Sequence, residues 1–394
     1  MEGIVTGAKT AMGRHVHIYP SAMTNESRIL KITDSLIRHG LADDIVLLGL
    51  AGKGLPSEER WDAHRRVIRL QPDWFHRVPR GKSAVFYAEW YKLVVARGSE
   101  VAPTLVHSNG LFDLPAAVAL KRRFGCPLVY DAHEFETERH GFSRAQKAFA
   151  RLAEKFLIRW ADEVIVVGDS IAEWYRKAYR RHISVVRNKP KSSARWAGHV
   201  TPLRQRLGIE GGLLFLCHGA LQSGRSIPVL IEAFSRLSSD KHLVFVGYGP
   251  FVEQIRAAAA KLPNVHYLDA VPSEQVVQLA ATADVGLSVY EDSCLSYYYC
   301  VPNKLFEYEA AGLPIVVSDF PEMSRETDKW GNGWRVSPRV EALTALLNQI
   351  SRADIEERAK GSVAAAAEAT WESEEQTLLD AYRRVISRTG RKIA

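Results

Sequence analysis

The segment PNKLFEYEAAGLPIVVSD, residues 302–319, contains the features that decide the fold. Its first half has the composition of a short helix, which Gly312 and Pro314 end sharply. The β-branched run at residues 315–317 that follows reads as a buried strand. A helix that leads through a tight turn into an apolar strand is one half of a βαβ unit. The segment therefore predicts an α/β fold with a parallel sheet.

Apolar runs and amphipathic stretches alternate on both sides of this segment. The predicted strands are residues 15–19, 44–50, 104–107, 127–130, 164–167 and 183–186, and then 213–217, 242–246, 265–268, 285–289 and 315–317. Predicted helices include 26–39, 115–124, 144–160, 228–237, 251–261, 273–282, 304–311 and 373–387. This alternation predicts two Rossmann-like domains whose parallel sheets face a central cleft, with substrates bound beyond the carboxyl ends of the strands.

The domain boundary follows from a polar seam at residues 188–200, which contains Pro190. We expect a first domain at residues 1–188 and a second at 189–372, with the final helix in 373–394 packing back on the first. A chain of 394 residues with 46% hydrophobic composition can form two cores, because one core rarely grows beyond about 250–300 residues.

Composition also indicates where the protein works. No run approaches the roughly 18 apolar residues of a membrane span, and the first residues lack the apolar stretch of a signal peptide. The four cysteines form no CxxC pair. We therefore expect a cytoplasmic protein without a structural zinc.

The net charge of +7 lies in the first half of the chain. Residues 1–190 contain 30 Lys and Arg against 21 Asp and Glu, whereas the remainder contains 22 against 24. A basic half suggests an anionic partner, such as a phospholipid surface, a lipid pyrophosphate, an acidic glycan or nucleic acid; the alternative is that the charge only keeps the protein soluble. Residues 144–160 place apolar and basic side chains on separate helical faces. Together with residues 61–91, that stretch could rest on an anionic membrane, or its apolar face could pack on the sheet.

Three polar residues cluster at the start of the helix in the opening segment. Asn303, Lys304 and Glu307 share one face. The unpaired N–H groups and positive dipole end of such a helix suit a diphosphate, and Lys304 adds a full charge. Glu307 can accept hydrogen bonds from ribose hydroxyls. The alternative is that Lys304 and Glu307 form a solvated pair on the helix surface.

Two glycine turns follow predicted strands of the second half. Gly247 and Gly249 allow close approach of a nucleotide to the backbone, or they form a plain tight turn. The third glycine of a dinucleotide fingerprint would fall at Val252, which disfavours a hydride-transferring enzyme.

Polar residues also follow the strands of the first half. Asp131, His133 and Glu134 come directly after the strand at 127–130, so they point toward the cleft as a set suited to acid–base chemistry or as structural residues. Asn25, Arg28 and Asn109 lie in or beside loops that open on the same cleft, and they are candidates for acceptor binding.

Several of these segments resemble, in the same order, those of glycosyltransferase family 4, which has the GT-B fold. The matching segments are LVHSNGLFDLPAAVAL (105–120), LVYDAHEFETE (128–138), LCHGALQSGRSIPVLIEAFSRL (216–237), VGYGP (246–250), LDAVPSEQVVQLAATADVGLSVY (268–290) and the opening segment. The resemblance implies that Gly219 and Gly247 approach the nucleotide and that Arg225 holds the donor diphosphate. It also places His133 near the reacting centre.

The family resemblance implies transfer of a sugar from a nucleotide sugar, with UDP the usual nucleotide. No DxD carboxylate pair is present to hold a metal on the diphosphate, and we expect neither metal nor cofactor. If the enzyme retains configuration, the family's usual outcome, the leaving diphosphate takes the acceptor proton. If it inverts, Asp131, His133 or Glu134 is the base. Family habit suggests a bacterial surface glycan or a lipid-linked precursor as acceptor, at the inner face of the membrane.

One departure from the family concerns the sugar. Many members carry an acidic residue eight positions before Glu307, where this chain has Tyr299, so the first acid is absent or replaced by Glu291 or Asp292. The competing hypotheses are a UDP-sugar 2-epimerase with the same architecture and a basic nucleic-acid-binding protein. The second lacks any recognised motif.

Overall fold

The computed structural model describes residues 13–24, 26–73, 84–196 and 200–390, in which the chain forms two sheets with helices on both faces. The strands are β1 Arg14–Ile18, β2 Asp44–Leu50, β3 Glu58–Arg60, β4 Arg65–Leu70, β5 Leu105–Asn109, β6 Leu128–Ala132, β7 Glu163–Val166, β8 Ser184–Val185, β9 Leu213–Ala220, β10 Lys241–Tyr248, β11 Val265–Asp269, β12 Val285–Ser288, β13 Ile315–Ser318 and β14 Gly333–Val336. The helices are α1 Ser27–Arg38, α2 Ala84–Val101, α3 Leu114–Phe124, α4 Arg144–Leu157, α5 Asp169–Tyr179, α6 Leu203–Leu207, α7 Ile227–Ser235, α8 Val252–Ala259, α9 Val276–Ala280, α10 Leu295–Tyr298, α11 Asn303–Ala310, α12 Pro321–Trp330, α13 Val340–Gln349, α14 Arg352–Glu368 and α15 Trp371–Gly390.

The order of the strands shows where each domain binds ligands. The first sheet runs β3-β4-β2-β1-β5-β6-β7-β8, in which only β3 is antiparallel to its neighbour. The second runs β11-β10-β9-β12-β13-β14 and is parallel throughout. The strand order reverses at β1 and at β9, and ligands of doubly wound sheets bind at such switch points. The fold is α/β with two Rossmann-like domains, as the alternating pattern predicts.

The central strands are buried on both faces. In β9, Leu213 to Cys217 are consecutive apolar residues, all less than a tenth exposed. Continuous apolar runs of this kind are typical of parallel strands covered by helices on both sides. Successive side chains along each strand point to opposite faces of the sheet and enter separate hydrophobic clusters. Each sheet therefore has a core on both faces.

Helix α15 returns from the second domain to the first. It packs against α1 and against β6, β7 and β8. Trp371 is fully buried there and donates its Nε1 hydrogen to Ser35 Oγ at 2.9 Å. Tyr382 is fully buried beside His107 of β5. The last helix therefore follows the second domain in sequence but packs on the first domain.

A carboxylate of the second domain caps a helix of the first. Glu322, in α12, is 3% exposed and accepts hydrogen bonds from the backbone N–H groups of Asp169 at 3.2 Å and Ser170 at 2.8 Å. Both donors lie at the start of α5, where a negative charge is favoured by the helix dipole. This contact fixes the two domains on either side of the cleft.

Among the described residues, none of the helices combines the length and the apolar content that crossing a bilayer requires.

Candidate functional site

A cleft of about 660 Å³ lies between the domains, at the carboxyl ends of the central strands of both sheets. It is lined by predicted residues from both halves of the chain. These are Arg28, Asn109, His133 and Glu134 from the first domain, and Gly219, Arg225, Gly247, Asn303, Lys304 and Glu307 from the second.

Lys304 is a buried cation at the start of α11. It is 5% exposed, and its Nζ lies 5.4 Å from the ring centroid of Tyr290. Burial lowers the pKa of Lys304, and the nearby Arg225 lowers it further. No acidic side chain of the described residues lies within 4 Å of its Nζ. A buried ammonium without a carboxylate partner favours an anionic ligand.

Arg225 is the second cation of the cleft, and two tyrosines hold it. Its guanidinium lies 4.7 Å from the ring centroid of Tyr290 and 5.9 Å from that of Tyr297. It donates to the Tyr290 hydroxyl through Nη1, whereas its buried Nε has no partner in the part of the chain that the structure describes. Gly224 has φ +80°, and a Cβ there would lie 2.1 Å from the Tyr297 ring. The loop can therefore hold Arg225 in place only with glycine at 224.

The predicted glycine turns differ in what they do. Gly219 has φ +105° and faces open space, so its backbone conformation favours glycine. A Cβ on Gly247 would lie 1.9 Å from the Gly219 carbonyl oxygen, so glycine at 247 lets β9 and β10 meet at the cleft. Gly249 is not among the residues that line the cleft. A Cβ there would lie 2.4 Å from the carbonyl oxygen of Leu221, which explains the glycine by packing. The contact of Gly249 with the donor stays a prediction.

Glu307 faces the cleft one helical turn after Lys304. Its side chain is 26% exposed, and Oε2 lies 3.4 Å from Nε2 of His218. Burial raises the pKa of Glu307 to about 7, although Lys31 and Lys304 oppose that shift. Burial also lowers the pKa of His218 to about 3, so this imidazole is neutral at physiological pH. His218 was not predicted from the sequence.

The first domain contributes His133 and two carboxylates. His133 is partly buried, and its ring meets Tyr19 edge-on with centroids 5.3 Å apart. Glu134 is exposed and accepts from Arg139 Nε at 2.9 Å. Glu26 lines the same wall. Burial raises the pKa of Glu26, although its hydrogen bond with the Ser21 hydroxyl opposes that shift. Glu26 is a second cleft residue that was not predicted from the sequence.

Asp131 is buried beneath the cleft and does not line it. It is fully buried and receives two hydrogen bonds from Arg28, Nε to Oδ2 at 2.7 Å and Nη2 to Oδ1 at 2.8 Å. Burial alone would raise the pKa of Asp131, but the charge of Arg28 holds it well below its usual range. A buried, paired carboxylate cannot reach an acceptor hydroxyl. The prediction that Asp131 is a catalytic base is therefore wrong.

The acceptor-side candidates have different surroundings. Arg28 lines the cleft while its Nη1 also donates to the Val186 carbonyl oxygen at 2.9 Å. Asn109 donates Nδ2–H to the Ile18 carbonyl oxygen at 3.1 Å and leaves Oδ1 without a partner among the described residues. Asn25 lies outside the described residues.

The stretch before α11 supplies no carboxylate to the cleft. Tyr299 packs against Phe135 of the first domain, with ring centroids 6.3 Å apart, and neither Glu291 nor Asp292 lines the cleft. Ser296 and Cys300 occupy this wall instead. Neither of the two proposed replacements for the missing acid therefore reaches the site.

Two family models match the chain, one in each domain. The model described as glycosyl transferase 4-like domain matches residues 26–189, and that described as glycosyl transferases group 1 matches residues 212–352. The chain is 26% identical over 196 residues to an uncharacterized glycosyltransferase, YqgM, of Bacillus subtilis strain 168. That match covers 48% of this chain and 53% of the relative, so the chain spans about half the length of the curated relative it matches.

Solved structures share the fold across nearly the whole chain. Sucrose-phosphate synthase from Thermosynechococcus elongatus has a TM-score of 0.79 at 16% identity, covering 95% of this chain and 99% of that one. Anabaena HepE in complex with UDP-glucose has a TM-score of 0.70 at 17% identity, covering 93% and 98%. The E. coli trehalose-6-phosphate structure with bound UDP-2-fluoro glucose has a TM-score of 0.68 at 13% identity, covering 94% and 98%.

Proposed function

Because this chain belongs to the GT-B glycosyltransferases of family 4 type, we propose that it transfers a sugar from a nucleotide sugar to a glycan or lipid-linked acceptor. The observation that carries this proposal is the pair Lys304 and Arg225. Both cations line the cleft beside the start of α11, and no described carboxylate lies within 4 Å of either. A diphosphate between them would supply the missing negative charge.

The proposed catalysis is electrostatic. Negative charge grows on the departing diphosphate in the transition state, where Lys304, Arg225 and the N–H groups at Asn303 can stabilise it. These groups act inside a cleft and need no rearrangement when the bond breaks. The role assigned to a metal in other transferases is thus given to side chains here, and we propose a metal-independent reaction without a cofactor.

We place the nucleoside beyond the diphosphate, at the carboxyl end of β10. Tyr248 is 66% exposed on the cleft wall, and Val271 and Ser273 line the same cleft. An exposed aromatic ring next to backbone groups suits a flat base. We propose UDP as the nucleotide, a choice supported by the UDP-glucose and UDP-2-fluoro glucose complexes of the structures that share this fold.

We propose retention of configuration, the outcome that the family resemblance implies. With Asp131 buried and paired, the carboxylates that line the described cleft are Glu26, Glu134 and Glu307, and we assign Glu307 to the ribose. In a retaining reaction the leaving diphosphate takes the proton, and His133 orients the sugar and the acceptor hydroxyl. In the inverting alternative, Glu134 or His133 is the base.

The acceptor that we propose is a bacterial surface polysaccharide intermediate, met at the inner face of the cell membrane. The excess of basic residues in the first 190 residues supports this, because the first domain would face an anionic surface or a lipid pyrophosphate.

A panel of nucleotide sugars, incubated with the full chain and followed by mass spectrometry, tests the proposal without requiring the acceptor. We expect slow hydrolysis of one UDP-sugar to UDP and free sugar. Hydrolysis of a GDP-sugar instead would correct the nucleotide. An epimeric sugar nucleotide with its diphosphate intact would indicate a 2-epimerase, and neither turnover nor binding of any nucleoside diphosphate would contradict the donor site.

The ionisation of Glu307 predicts how UDP binding depends on pH. Its pKa lies at about 7 in the ligand-free cleft, and the ionised carboxylate accepts hydrogen bonds from ribose hydroxyls more strongly than the protonated acid does. We therefore expect the affinity for UDP to fall about tenfold for each pH unit below 7. Calorimetric titration of UDP between about pH 5.5 and pH 8 measures this slope.

Glu307→Gln is the matched control, because it keeps the shape and removes the ionisation. This variant should bind UDP weakly, with a nearly flat pH profile. In the ligand-free protein, ionisation of Glu307 lowers the stability of the fold, whereas it favours UDP binding when the ligand is present. The raised pKa means that the contribution of Glu307 to stability is present below its ordinary value of 4.5 and is lost as pH rises through about 7. Glu307→Gln should therefore raise the thermal midpoint of the ligand-free protein near pH 8, and a lowered midpoint would contradict this reading.

A further inference from the structure

Helix α4 turns its apolar face to solvent. Phe149 is 73% exposed, Leu152 is 55% exposed and Phe156 is 52% exposed. Trp160, in the single helical turn Ile158–Trp160 that follows α4, is 36% exposed. Residues three and four apart lie on one side of a helix, so these four side chains form a continuous stripe. The interpretation that this face packs on the sheet is therefore wrong.

The opposite side of α4 is fixed to the domain by polar contacts. Glu154 is fully buried, and its carboxylate accepts hydrogen bonds from the hydroxyls of Tyr130 at 2.6 Å, Tyr175 at 2.5 Å and Tyr179 at 2.6 Å. Rotating the helix to bury its aromatic residues would break all three. The outward direction of the apolar stripe is thus set by the structure of the domain.

Cations surround the apolar stripe. Arg159 lies 5.2 Å from the ring centroid of Phe156, and Arg122 of α3 lies 5.3 Å from that of Trp160. The acid within residues 144–160 is Glu154, which is buried. Five basic side chains of α3, α4 and the turn after α4 have no acidic group within 4 Å among the described residues: Arg122, Arg123, Arg144, Lys155 and Arg159.

We propose that the outward face of α4, comprising Phe149, Leu152, Phe156 and Trp160 with these flanking cations, docks on an anionic phospholipid surface. An apolar stripe beside uncompensated positive charge is the arrangement by which helices lie in the interface of anionic bilayers. A second copy of this chain is a poorer occupant, because dimerisation through this face would bring two sets of cations together.

The loop before α4 connects this helix to the cleft wall. The chain runs from His133 and Glu134, on the cleft wall, through the loop before α4, where His140 Nδ1 lies 3.1 Å from Ser293 Oγ of the second domain. Docking through α4 would therefore bring the opening between the domains near the bilayer. The inference rests on the proposed function in one respect, because docking on the bilayer would explain how a lipid-linked acceptor reaches the enzyme.

Co-sedimentation of the full chain with vesicles of phosphatidylcholine, with and without phosphatidylglycerol, tests the docking. We expect binding only to the anionic vesicles and a steep loss of binding with salt. The double variant Phe149→Ser with Phe156→Ser should weaken this binding at least about tenfold, and so should Lys155→Gln with Arg159→Gln. Val363→Ser is the matched control, because Val363 is 62% exposed on α14 of the second domain.

Three results would overturn the inference: no binding to anionic vesicles, binding that the α4 variants leave unchanged, or a dimer in solution that Phe149→Ser dissociates. Nucleotide-sugar hydrolysis by the same proteins separates the two proposals. Hydrolysis without vesicle binding would leave the proposed function standing and remove the docking surface. Vesicle binding without any nucleotide-sugar turnover would leave the docking surface standing and remove the proposed function.

Discussion

Lys304→Met and Arg225→Gln should each lower kcat/KM for sugar transfer by about 100- to 1000-fold, the range seen when a preorganised charge is removed from an active site. In the proposed reaction, both side chains lie where the leaving diphosphate gains negative charge. Lys304 is 5% exposed and therefore interacts with that charge in a medium with little water to screen it. Steady-state kinetics with the donor found by the nucleotide-sugar panel measures the loss, and most of it should appear in kcat.

The thermal midpoint distinguishes this role from a structural one. Burial disfavours the ammonium form of Lys304, so its replacement by the apolar Met should leave the ligand-free protein as stable or more stable. Its stabilisation by UDP should shrink at the same time. The matched control is Lys360→Met, at an exposed site on α14, which should keep wild-type kinetics. A Lys304→Met variant with wild-type kcat, or one that unfolds, would contradict the assignment.

The sequence predicts the sheets well because parallel strands covered on both faces are continuous apolar runs. Each of the predicted strands corresponds to one in the structure, whereas β3, β4 and β14 were not predicted. β4 reads RRVIRL, in which arginines interrupt the apolar pattern, and β3 has only three polar residues. Such strands form through pairing with a neighbour rather than through their own hydrophobicity.

The candidate site was predictable where it is contiguous in sequence. Asn303, Lys304 and Glu307 share one helix, so their spacing alone brings them together. Arg225 is held by Tyr290, which follows β12, and by Tyr297 of α10, both far from it in sequence. The three adjacent tyrosines at 297–299 were the only local signal.

Which way a helical face points cannot be read from its own sequence. The periodicity of residues 144–160 indicates an apolar side and a basic side, but it does not say which of them meets the protein. The tyrosines of β6 and α5 that bind Glu154 settle the direction. Likewise, the position of Asp131 after a strand suggested a catalytic base, but its partner Arg28 is 103 residues away in sequence.

Asp131→Asn should lower the free energy of unfolding of the first domain by about 3–5 kcal/mol, because it leaves the Arg28 guanidinium buried without a counter-charge. The side chain of Arg28 is 9% exposed, and that of Asp131 is fully buried. Urea unfolding, monitored with a spectroscopic signal from the first domain, measures the change in the free energy of unfolding. Glu357→Gln, which removes an exposed ion pair with Lys360 on α14, is the control and should cost less than about 1 kcal/mol.

Low pH and a compensating double substitution both test the Arg28–Asp131 ion pair further. The pKa of Asp131 lies below its ordinary value, so the stability from the pair is present above about pH 4 and fades as pH falls below it. The difference between wild type and Asp131→Asn should therefore narrow in acid. Arg28→Met combined with Asp131→Leu should recover most of the lost stability, since it removes both charges together. A double variant no more stable than Asp131→Asn would show that the pair is not what holds this part of the domain, and that His107 and Tyr382 behind it carry the cost.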